Sequence, residues 1–181
     1  MRKSFLLAAI LIVAVSAAVV ILAQTSTTIQ EFLTGYEEVP AVSTVASADF
    51  RAVIGSDNRS IQYQLTYFNL EGAPLQAHIH FGQTSVNGGI VVWLCGNPPA
   101  VSPPPGTQLC PNPPATIFGT LRPSDVVATA NAQGIAPGEF EELIRAIQAG
   151  KTYVNIHSTK FPGGEVRSQI EPEGFSGGGH H

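Results

Sequence analysis

Apolar and polar residues alternate with a period of two along most of this chain. The clearest stretch is 60–68, where Ile61, Tyr63, Leu65 and Tyr67 share one face and Gln62, Gln64 and Thr66 the other. That is the pattern of a strand with a core side and a wet side. Segments 46–54, 75–81, 90–95, 116–121, 152–158 and 165–170 read similarly, and 29–35 opens the set. Turn-forming clusters separate them, among them Gly55-Ser56-Asp57-Asn58, Asn87-Gly88-Gly89 and Phe161-Pro162-Gly163-Gly164. One segment departs from the alternation. Over 137–149 the apolar residues Phe140, Leu143, Ile144 and Ile147 recur at helical spacing, with Pro137 at the start, acidic residues in the first turn and Gly150 to close. These elements predict an all-β fold, an antiparallel Greek-key-like sandwich or barrel of about seven or eight strands with one amphipathic helix covering it.

The N-terminus is of a different kind. Arg2 and Lys3 precede an apolar run over 5–23, followed by polar residues. This reads as a secretion signal cut after Ala23; retained, the same run is long enough to anchor the chain in a bilayer. The folded domain is then expected over 24–173, with a Gly/His tail over 174–181 that includes His180 and His181. Either way the domain lies outside the cytoplasm: secreted, at the cell surface, or periplasmic in a Gram-negative cell. Charged residues make up 12% of the chain and the formal net charge is -4. Nine Lys and Arg cannot build a phosphate-binding surface, which argues against a nucleic-acid partner. Cys95 and Cys110 are the only cysteines, and five prolines lie between them. Such a stretch forms neither helix nor interior strand, and a disulfide between the two is expected to clamp it. Asn58-Arg59-Ser60 is a formal glycosylation sequon.

Candidate chemistry rests on histidine. On a strand, His78 and His80 leave the same face, opposite Ala77, Ile79 and Phe81. His157 shares a face with Tyr153 and Asn155, again opposite aliphatic residues. Three neutral imidazoles meeting at one point suit a single Cu(II), Zn(II) or Ni(II) ion, with Glu165 and Asn155 as supporting groups. Glu165 has a second reading, a charge pair with Arg167. The sole methionine is Met1, so no thioether is available and a blue-copper centre is excluded. No nucleophile elbow and no phosphate-binding glycine loop occurs.

Phe32-Leu33-Thr34-Gly35, then Glu38-Val39-Pro40-Ala41-Val42-Ser43-Thr44, Ala77-His78-Ile79-His80-Phe81-Gly82, Asn87-Gly88, and the run from Gly150 to Ser158 followed by Pro162 to Gln169 resemble, in this order, the CHRD domain named after chordin. The resemblance spans residues 30 to 171 and implies a secreted β-rich module. Ala46-Ser47 and Ser168 depart from it where glycine is common. The stretch from Ala77 to Gly82 is also similar to the paired-histidine strand of copper-zinc superoxide dismutase, although too few histidines follow for two metals. Three functions are therefore expected in order: capture or buffering of one transition-metal ion outside the cell, copper favoured; a non-catalytic structural, adhesion or self-associating module whose partner is another extracellular protein; and a dismutase-like metalloenzyme. Membrane contact is expected only through an uncleaved N-terminus.

Overall fold

The computed structural model describes residues 26–171. The expected signal or anchor and the whole of the Gly/His tail lie outside them. Eight strands form one sheet: β1 (Thr27–Thr34), β2 (Ser47–Ile54), β3 (Ile61–Phe68), β4 (Pro74–Phe81), β5 (Gly89–Gly96), β6 (Ala115–Leu121), β7 (Thr152–Ser158) and β8 (Val166–Gln169). Their order is β5-β4-β7-β8-β1-β2-β3-β6, and each of the neighbouring pairs is antiparallel. The period-two alternation sets which side of each strand meets the core. Leu33 stands beside Ala48, Ala48 beside Tyr67, Ile79 beside Val154 and Ile156 beside Val166, and all of them are buried.

The sheet curls until its two edge strands almost meet. Tyr63 donates its hydroxyl from β3 to the Leu94 carbonyl of β5 at 2.9 Å. Gln108 completes the closure: its amide donates to Leu94 O at 3.2 Å and to Phe118 O of β6 at 3.0 Å. Gln108 belongs to the proline-rich segment between the cysteines, and Cys95 and Cys110 are indeed joined, with Cα atoms 5.1 Å apart. The disulfide thus holds the segment that bridges the seam. Replacing both cysteines by alanine is expected to lower stability by about 3 kcal/mol on the loop-entropy scale. Denaturant unfolding of the variant beside the oxidised protein measures this directly.

The helix, α1 (Phe140–Gln148), starts later than the expected 137. Gly138 sits at φ +84°, a left-handed conformation that no helical residue adopts. Before the helix, Glu139 accepts a hydrogen bond from the Ala136 N–H at 2.8 Å, closing a local turn. At the other end Gly150, at φ +63°, terminates the helix as expected. Phe140, Leu143, Ile144, Ala146 and Ile147 join the core. Among the described residues no helix is long and apolar enough to cross a membrane.

Candidate metal centre

The face of β4, β7 and β8 opposite the aliphatic core is not wet. Every residue of β7 is buried, because loops from 35–45, 82–88 and 159–165 fold over this side. Pairing of β4 with β7 sets His78 beside Asn155 and Gln76 beside His157, and pairing of β7 with β8 sets Asn155 beside Arg167. The strand register therefore assembles His78, His80, His157, Asn155, Tyr153 and Arg167 on one covered surface.

The three histidines converge there. One ring nitrogen from each lies within 4.8 Å of the others, close enough for one ion to touch all three. His78 is fully buried, and His80 and His157 are each 7% exposed. Backbone carbonyls fix two of the rings. His80 Nδ1 lies 3.0 Å from Gly88 O, and His157 Nδ1 lies 2.9 Å from Pro162 O. A carbonyl only accepts, so Nδ1 carries the proton in both rings and Nε2 keeps its lone pair. His80 Nε2 and both nitrogens of His78 are buried without any partner among the described residues. Buried polar atoms are nearly always satisfied, so orphaned nitrogens on two adjoining rings call for a ligand. His157 Nε2 adds to this: it faces Asn155 Oδ1 at 3.2 Å, acceptor against acceptor. A cation between them, or rotation of the amide to present its N–H, resolves the conflict.

Burial keeps these rings neutral. It pushes His78 down to about 2, helped by its two histidine neighbours, and His80 down to about 4 against the opposing pull of the Gly88 carbonyl. His157 is lowered for the same reason. Neutral imidazole is the form that ligates. Aromatic rings wall the cluster in. Trp93 presents a T-shaped contact to His78 at 4.2 Å, and Tyr153 stacks on His80 at 4.6 Å with planes 3° apart. The Arg167 guanidinium covers the other side of Tyr153 at 3.4 Å.

The remaining expected residues fall differently. Asn155 is at the cluster, as described. Glu165 is fully buried, but its Oε1 accepts from the Thr44 hydroxyl at 2.9 Å and from the Glu71 N–H at 2.8 Å. It ties two loops over the site and is not one of the three convergent ligand groups. It forms no ion pair with Arg167 either: the ion pairs among the described residues are Arg145–Glu142 and Lys160–Glu71. Sequence reading passed over Glu38, which is 6% exposed with Oε1 unpartnered. Its one signal was an acid inside the Glu38-Val39-Pro40 motif. Gly88 was read only as a turn former. A β-carbon there would lie 1.7 Å from Phe81 O, so glycine is what lets the carbonyl reach His80.

No curated protein and no solved structure matches this chain. The model of one family does, that of the CHRD domain, over residues 29–170. This stretch holds all eight strands except the first two residues of β1, and the entire histidine cluster. The chain belongs to the CHRD domain family.

Proposed function

We propose that this protein is an extracellular module that captures or buffers one transition-metal ion, copper before zinc, through His78, His80 and His157. The observation that carries the reading is that one ring nitrogen from each of three buried histidines, on two strands, lies within 4.8 Å of the others, while His78 and His80 keep nitrogens without a partner among the described residues. Two second contacts agree with it, since carbonyls on Nδ1 are how ligating histidines are commonly oriented. The donor set is all nitrogen, which suits Cu(II) and Zn(II), with Cu(II) higher in the general affinity order. Asn155 supports the site beside His157, and Glu165 supports it by tethering the covering loops. Membership of the CHRD family and the Cys95–Cys110 disulfide favour a place outside the cytoplasm.

The test is a titration of the purified protein with Cu(II) and, separately, Zn(II). At a metal concentration about one hundred times Kd, binding to the folded state stabilises by about 2.7 kcal/mol, a rise in Tm of about 5 to 10 °C for a domain of this size. The copper spectrum should show nitrogen coupling. His78→Ala, His80→Ala and His157→Ala should each abolish the rise. An unchanged Tm at excess metal, identical in the variants, would leave a structural or adhesion module as the better description.

A further inference from the structure

Glu38 is a buried acid with no counter-charge at bonding distance among the described residues. Its Oε1 has no partner among the described residues, and its carboxyl lies against Gly164, where a β-carbon would come within 2.5 Å of it. Gly164 belongs to the turn whose Pro162 carbonyl holds His157. The Asn155 amide lies within electrostatic reach of both Glu38 and His80, and 3.2 Å from His157 Nε2. One amide therefore stands between the carboxyl and two of the three imidazoles. The carboxyl is not among the atoms that converge within 4.8 Å.

Resting on the metal reading above, we propose that Glu38 is the charge-balancing carboxylate of the three-histidine site, ionising when a divalent cation binds and passing one proton to solvent. Three neutral imidazoles bring no negative charge, and a divalent ion among them in a low-dielectric pocket needs one nearby. The balance is simple. The carboxylic acid and the cation enter; the occupied site, a carboxylate and a free proton leave. Burial holds the empty-site carboxyl up at about 7, with Arg167 pulling the other way. The other charged or titratable groups around it are Arg167, Tyr153 and the adjacent Glu37. Burial raises Tyr153 and keeps its phenol protonated and neutral, and Arg167 remains a cation, so neither supplies the proton.

Calorimetric titration of the full protein with Zn(II), in two buffers of different ionisation enthalpy, counts protons released on binding. At pH 6 the wild type should release about one proton more than Glu38→Gln, and by pH 8.5 that excess should vanish. The variant should bind Zn(II) about tenfold more weakly at pH 7.5, the scale of a lost outer-sphere partner. Glu38→Asp, which keeps a carboxyl, should keep most of the proton release, whereas a purely structural role for Glu38 would leave the count untouched. If wild type and Glu38→Gln bind alike with equal proton counts, the inference falls and the histidine site stands. If the wild type takes up neither Zn(II) nor Cu(II), both fall.

Discussion

Metal-free protein is expected to lose about 3 kcal/mol of folding free energy between pH 6.5 and pH 4.5. In the unfolded chain each histidine takes up a proton near 6.5, while in the folded state His78 and His80 stay neutral down to about 2 and about 4. Below 6.5 the unfolded state therefore binds more protons, and acidification favours it. Each ring contributes about 1.4 kcal/mol per pH unit, so two rings over this window cost about 5 kcal/mol. His157 is shifted in the same direction and adds to the loss. Glu38 opposes it. Its folded value, about 7, lies above the ordinary carboxyl value of 4.5, so the stability it contributes is complete below 4.5 and disappears as pH rises through 7. Over the same window acidification returns about 2 kcal/mol through this group. Urea unfolding at the two pH values measures the difference. Glu38→Gln provides the internal check: without the opposing slope its loss should grow to about 5 kcal/mol. A flat profile in both proteins would mean the rings are not buried as described.

Particular residues explain why some of this was legible in the sequence. Ile61, Tyr63, Leu65 and Tyr67 announced β3 because one side of that strand meets water, so alternation records burial directly. His78 and His80 could be placed on one face from their spacing alone, and the shared face of Tyr153, Asn155 and His157 likewise. The β4–β7 register that brings them together is a long-range pairing, and no local spacing encodes it. The covering loops were equally hidden. Alternation in β4 and β7 suggested a polar side exposed to solvent, whereas chain from 82–88 and 159–165 buries it. The groups that fix the rings are backbone carbonyls of Gly88 and Pro162, which every residue type possesses and no motif marks. Gly138 misled in the opposite way, since a favourable Pro137 suggested a helix start that the left-handed backbone one residue later forbids.

Arg167→Ala is expected to cost about 3 to 5 kcal/mol and to weaken metal binding together with stability. Arg167 is 1% exposed, the bulkiest of the fully buried side chains. Its Nη2 donates to Val86 O at 2.9 Å and to Gln83 O at 3.4 Å, and Nη1 donates to Asn87 Oδ1 at 3.2 Å. The guanidinium thereby fastens the loop that also carries Gly88, whose carbonyl sets the tautomer of His80. Truncation empties the space over Tyr153 and strips these acceptors of their donor, which places both a cavity and orphaned carbonyls beside the site. Arg167→Lys restores the charge but not the planar fork, nor the flat stacking on Tyr153. If charge alone mattered, lysine would rescue the protein; if the loop anchor matters, lysine should recover less than half of the lost stability. Equilibrium unfolding of the two variants, with Zn(II) affinity measured in parallel, separates the cases. A loss below about 1 kcal/mol for the alanine variant would show the loop to be held by other contacts, and His80 would then need a different explanation for its orientation.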